Sequence, residues 1–150
     1  MIFEHAIQVT PALSNCLKKG LQALTHNQSY IRIHHDAKAS GSVDIDDCLQ
    51  QTLPNEPRWD YVFGIIWREK SEKIFYIEIH RATVNEIKKV EEKFYWLLEW
   101  ISKHSPLIEH LEISEFYWLA AGGIKIQPNT PEVKKLAAMG IELKPSLDIY

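Results

Sequence analysis

The stretch RWDYVFGIIWREKSEKIFYIEIHRA, Arg58 to Ala82, decides the fold. Two runs rich in aromatic and β-branched residues flank the charged segment REKSEK, the pattern of two strands joined by a turn. Side chains alternate across a strand. One face then holds Tyr61, Phe63, Ile65, Trp67, Phe75, Ile77 and Ile79, and is expected to pack beneath the helix that begins near Val84. The other face holds Asp60, Val62, Gly64, Glu78 and His80. If Glu69 lies opposite Lys73, Gly64 faces Glu78, Val62 faces His80, and Asp60 is a diagonal neighbour of His80. The two acids would then converge over Gly64, which has no side chain to fill the space above it. That register is an assumption, since a slip of one residue moves a strand's whole set to the other face.

Before the hairpin, TPALSNCLKKGLQALTHNQ reads as a helix, with Thr10 as its N-cap and Pro11 at its first position. Leu13, Cys16, Leu17, Leu21 and Leu24 recur at helical spacing. YIRIHH suits a short strand. The polar segment DAKASGSVDIDDCLQQTLPNEP, from Asp36, reads as a long surface loop with a short helix from Asp46. After the hairpin, Thr83 and Glu86 form a capping box for a long helix, whose core stripe is Ile87, Val90, Phe94, Leu97 and Ile101. Pro106 helps to end it. EFYWLAAGGIKI is a strand interrupted by Gly122 and Gly123. TPEVKKLAAMG is a short helix capped by Thr130, started by Pro131 and ended by Gly140. IELKPSLDIY is a terminal strand or an extended tail. The fold class expected is α/β: a single domain spanning 1–150, with a central mixed sheet containing an antiparallel meander, and flanking helices.

The chain has 150 residues, 45% hydrophobic and 25% charged, with five Trp, six Tyr and five Phe, enough for a sizeable core. A net charge of -3 gives no global attraction to nucleic acid, so any such binding needs a local basic patch. Cys16 and Cys48 have neither zinc-site nor redox-motif spacing, and the expectation is two reduced thiols in a cytoplasmic protein. The first residues lack the basic start and long apolar run of a secretion signal. No apolar stretch is long enough to span a bilayer, so no membrane partner is expected.

Two carboxylates brought together repel unless a proton or a cation intervenes. Mg²⁺ or Mn²⁺ would mediate between Asp60 and Glu78, since hard divalent ions favour oxygen ligands and retain water for a phosphate substrate. The plainer reading is that Asp60 caps a strand while Glu78 pairs with Arg32, Arg68 or a lysine of the long helix.

The order of elements from about Pro11 to Ile126, with WD at 59–60 and EIH at 78–80, resembles the PD-(D/E)XK nuclease superfamily. The resemblance implies a restriction-endonuclease-like fold: a helix, a three-stranded meander, a crossover helix and a further strand. It implies that Asp60 and Glu78 are the two acids of a metal site. The family's motif lysine is replaced here by His80, which can act as a base near neutral pH. Some members carry a substitute lysine on the following helix. Lys93, at the flank of the core stripe, is the candidate, beside the plain reading of a solvated or snorkelling lysine. The acid that the family often carries on its first helix is absent, and Asp44, Asp46, Asp47 or Glu4 are the candidate replacements.

Two functions follow. In one, the protein is a metal-dependent nuclease that hydrolyses phosphodiester bonds in nucleic acid, with Asp60 and Glu78 as metal ligands and His80 and Lys93 assisting the attacking water. In the other, it is a nuclease-fold protein without catalysis that acts as a binding or assembly module. FYWLLEW at 94–100 marks either a helix buried on several sides or a homo-oligomer interface. His34 and His35 are adjacent on a strand and point to opposite faces, so they do not share a metal ion.

Overall fold

The structure, a computed structural model, describes residues Met1–Tyr150. Its elements are α1 (Ile2–Gln8), β1 (Ile31–Ile33), β2 (Ala37–Asp44), α2 (Ile45–Leu49), β3 (Tyr61–Trp67), β4 (Glu72–Ala82), α3 (Val84–His104), β5 (Ser114–Ile124), α4 (Pro131–Met139), β6 (Ile141–Lys144) and β7 (Leu147–Ile149). Short 3₁₀ segments occupy Ser14–Cys16, Gln22–Tyr30 and Pro106–Ile113. β2 to β6 form one mixed sheet in the order β2-β3-β4-β5-β6. The first two pairings are antiparallel, and the pairings of β4 with β5 and β5 with β6 are parallel. β1 and β7 form a separate parallel ribbon. The expected α/β fold with a mixed sheet and a meander is therefore present.

The hairpin pairs Phe63 with Phe75 and Gly64 with Ile74. This replaces the assumed register. The turn has the assumed length but falls two residues earlier: Trp67 N–H donates to the Ser71 carbonyl at 2.9 Å, and Lys70 takes the left-handed conformation at φ 76. The offset is an even number of residues, so each face keeps its members while their partners change. Gly64 faces no carboxylate and has no open space above it. Phe3 and Ser40 fill that space, so that a Cβ on Gly64 would lie 2.5 Å from Phe3 Cβ.

The layer over each face also differs from expectation. Phe63, Ile65, Phe75 and Ile77 pack with Leu24, Ile31, Leu147 and Ile149, under the 22–30 segment and the β1–β7 ribbon. The stripe Ile87, Val90, Phe94, Leu97 and Ile101 of α3 is buried as expected, but against the opposite face, with Val62, Ile74, Tyr76 and Trp118. Both faces of β3 and β4 are apolar enough to be covered, so alternation alone does not say which one takes the helix. The consequence matters for the site, because α3 lies over Asp60 and Glu78. Of the aromatic cluster on α3, Phe94 and Trp100 are buried, Trp96 is half-buried and Tyr95 is exposed.

Four further expectations are corrected. Residues 10–28 are not one helix. Thr10 closes α1 instead, its hydroxyl donating to the Ala6 carbonyl at 2.7 Å. Lys18 then bonds with Ser42 through both backbone groups in an isolated bridge, an extended geometry that a helix excludes. Residues 37–44 are a strand, not a loop, and Gly41 lies close against Leu17 and Phe3. Cys16 and Cys48 are not free thiols but form a disulfide, with their Cα atoms 6.1 Å apart. The thiol spacing carried no sign of this, since residues 32 apart meet only once β2 and α2 have folded over the 3₁₀ turn. The Thr83 side chain does not cap α3, as only its carbonyl accepts from Glu86 N–H at 3.0 Å. No helix is long and apolar enough to cross a membrane.

Candidate functional site

Asp60 lies just before β3. Its position is held on three sides. Trp59 is fully buried against Phe94 and Phe116. The neighbouring Arg58 donates to the Leu53 carbonyl at 2.6 Å and to the Asp46 carboxylate at 3.0 Å. The Asp60 carbonyl accepts the Ile45 N–H at the start of α2, at 2.9 Å.

The β3–β4 ladder ends at Tyr61 and Ile77. Beyond it, two carboxylates replace the backbone carbonyls. Asp60 N–H donates to Glu78 Oε2 at 2.7 Å, and Ile79 N–H donates to Asp60 Oδ2 at 3.1 Å. The two acids thus face each other directly. Their remaining oxygens converge on one cation: Lys93 Nζ donates to Asp60 Oδ1 at 3.1 Å and to Glu78 Oε1 at 2.6 Å. His80 completes the cluster, with Nε2 3.0 Å from Glu78 Oε1 and Nδ1 3.1 Å from the Arg81 carbonyl. Asp60, Glu78, His80 and Lys93 are therefore all at one place. Lys93 is there because α3 covers this face of the sheet.

The cluster is closed on one side and reachable on the other. The Glu78 side chain has no solvent exposure, Asp60 and Lys93 have 19% each, and His80 has 25%. Burial and then the Glu78 charge push the Asp60 carboxyl up to about 7, against the pull of Lys93. Burial also works against a charge on Lys93, but Glu78 and Asp60 outweigh it and raise its pKa. At His80 burial is likewise outweighed, by the hydrogen bond to Glu78 and its charge, and the pKa is raised. Both ring nitrogens face acceptors, as suits an imidazolium that donates on both sides. His80 is thus placed as a cation more than as the base expected of it, and supplies the kind of charge that a lysine would.

The candidate third acids are elsewhere. Asp44 accepts from Asp47 N–H at 2.9 Å, Asp46 pairs with Arg58, and Glu4 lies in a cleft with Lys18, Lys19 and Lys38. No group of three or more His, Cys, Asp and Glu side chains is arranged to hold a metal ion. The donor chemistry of the pair nevertheless fits a hard divalent ion: two carboxylate oxygens, Asp60 Oδ1 and Glu78 Oε1, already share one ammonium. The sequence reading did not pick out Glu86, whose carboxylate lies 3.9 Å from His80 Nδ1, nor Trp118, whose indole packs on His80 and donates to its carbonyl at 3.3 Å. Glu86 had a signal, since it lies two helical turns from Lys93 on α3. Trp118 had none, because its place depends on the parallel register of β5. His34 pairs with Asp148 and stacks on Tyr150, apart from His35.

Compared with protein-family models, with curated proteins and with solved structures, the chain matches none.

Proposed function

We propose that the protein is a metal-dependent nuclease-like enzyme of the PD-(D/E)XK kind, acting on phosphodiester bonds in nucleic acid. One observation carries the reading: Asp60 and Glu78 meet at the open end of a hairpin, with Lys93 shared between them and His80 on Glu78. The meander β2, β3 and β4, the helix α3 and the parallel strand β5 support the reading, whereas the helix it expects from Pro11 is absent and α1 lies before the residues that carry the resemblance.

Asp60 Oδ1 and Glu78 Oε1 would hold Mg²⁺ or Mn²⁺. Such an ion supplies an activated water and charge stabilisation at a phosphate. Lys93, now shared by the two carboxylates, would stand beside such an ion as a positive charge near the developing negative one. His80 adds a second positive charge, anchored by Glu78 and the Arg81 carbonyl. Asp60 N–H and Ile79 N–H keep both carboxylates oriented through the oxygens that Lys93 does not use.

A second reading, the non-catalytic binding or assembly module, is favoured by one observation. Every carboxylate oxygen of the pair already has a protein partner, and Glu78 is wholly buried. The cluster would then close the sheet end. We also propose the cytoplasmic setting only subject to a test of the disulfide, because such bonds are rare where glutathione keeps thiols reduced. Acid-quenched thiol labelling in intact cells reads its state.

The deciding experiment incubates the protein with labelled single- and double-stranded DNA and RNA in Mg²⁺, Mn²⁺ or chelator. The enzyme reading requires metal-dependent cleavage that is lost in Asp60→Ala, Glu78→Ala and Lys93→Ala, and slowed in His80→Ala but kept in His80→Lys. Cleavage that survives all the alanine changes is contamination. No cleavage by the wild type under any metal leaves the binding reading.

A further inference from the structure

Away from the cluster, the C-terminal half of α3 and the segment around α2 enclose a second cavity. It has a volume of about 450 Å³. Ala12, Leu49, Thr52, Leu53 and Glu56 form one side, and Trp96, Glu99, Trp100, Lys103 and His104 form the other. This size, with apolar and aromatic side chains making up half of the lining, falls in the range of small-molecule sites.

The aromatic wall is a stack. The rings of Trp96 and Trp100 have centroids 6.1 Å apart at an interplanar angle of 24°. His104 lies on Trp100 at 5.0 Å. These three recur every four residues, so one side of α3 presents them in a row. Trp100 is only 7% exposed and forms the floor, while the half-buried Trp96 is open to an incoming group.

Charge then selects the ligand. Glu99 is neutralised by Lys103 at 2.7 Å, whereas Glu56 forms no ion pair. Aromatic faces are electron-rich, and a carboxylate beside them adds a formal negative charge, so the cavity favours a cation. A metal ion does not suit it, because no group of three or more metal-binding side chains converges there. A weakly hydrated organic cation loses little on leaving water and fills apolar space.

We infer that this cavity is a binding site for a small organic cation of the alkylammonium class, held on Trp96 with Glu56 as its counter-ion. The site is separate from Asp60 and Glu78 and does not depend on the nuclease reading. Its ligand arrives either as a free amine or as a methylated lysine side chain, which carries the same head group.

The experiment uses the full chain and three probes. These are choline, its neutral carbon isostere 3,3-dimethyl-1-butanol, and a short peptide containing trimethyllysine. Binding is followed by tryptophan fluorescence and calorimetry. Choline or the peptide should saturate the protein and bind at least about five-fold more tightly than the neutral isostere, the range expected of a cation–π contact. The tighter of the two identifies the source of the cation. Trp96→Ala and Glu56→Gln should each weaken binding by a similar factor, with Glu56→Gln leaving the melting temperature unchanged. Equal binding of choline and the isostere, no saturable binding of either cation, or binding indifferent to Glu56→Gln would overturn the assignment.

Discussion

Lys93 is the residue on which the cluster turns. Its ammonium lies between two carboxylates, one of them with no contact with solvent. Removing one member of a buried ion pair leaves an uncompensated charge and costs about 3 kcal/mol or more. Lys93→Met should therefore destabilise the protein by about that amount in urea melts at neutral pH, and by less near pH 4, where Asp60 is protonated. Asp60 gives a second test. Its folded-state pKa of about 7 lies above the unfolded carboxylate value of about 3.9, so the folded state holds a proton that the unfolded state releases. Wild type should lose stability as pH rises from about 4 to about 7, and Asp60→Asn should not. Equal pH profiles for the two proteins would show that Asp60 ionises freely. Mn²⁺ should reverse the trend if it binds the pair, raising the melting temperature of wild type but much less that of Glu78→Ala.

At the scale of elements, Gly64 is where α1 meets the sheet. A methyl group there would collide with Phe3 and Ser40. Gly64→Ala should cost about 1–3 kcal/mol, the usual range for overpacking, and loosen α1, read as faster hydrogen exchange over Phe3 to Gln8. The same contact explains what could be read from the chain and what could not. α3 was legible because Ile87, Val90, Phe94, Leu97 and Ile101 repeat at helical spacing and Pro106 follows. The hairpin and the shared face of Asp60 and Glu78 were legible because period-two alternation survives an even shift in register. β2 was not, since AKASGSVD lacks the alternating apolar pattern of a strand, and its Gly41 answers to a tertiary contact, the close approach of Phe3 and Leu17. Lys93 could be nominated from its flank position, but its reach to Asp60 depends on which sheet face α3 covers. That choice is made by packing on both sides at once.

Across the whole molecule, two links join parts that are distant in sequence. The Cys16–Cys48 disulfide ties the 3₁₀ turn after α1 to α2, closing a loop of sequence separation 32. A loop of that size restricts the unfolded chain by an amount worth about 3–4 kcal/mol in the chain-entropy model. Reduction with a dithiol, or Cys16→Ser with Cys48→Ser, should lower stability by up to that amount without moving the Asp60 cluster. The reason is that Arg58, next to Asp60, is held by Asp46 and the Leu53 carbonyl and not by either cysteine. A loss of Mn²⁺ stabilisation on reduction would show that α2 also helps to place Asp60.

The second link is the β1–β7 ribbon, in which Ile31 pairs with Leu147 and Ile33 with Ile149. Half of the cover over Phe63, Ile65, Phe75 and Ile77 comes from these late residues. While the chain is being made, that sheet face is covered only in part, by Leu24 and Ile31, until Leu147 to Ile149 have been added. A nascent or C-terminally clipped chain therefore displays a greasy surface that chaperones and proteases can recognise, although Asp60, Glu78 and Lys93 are already synthesised. Quality control in the cell would thus read whether β7 has docked.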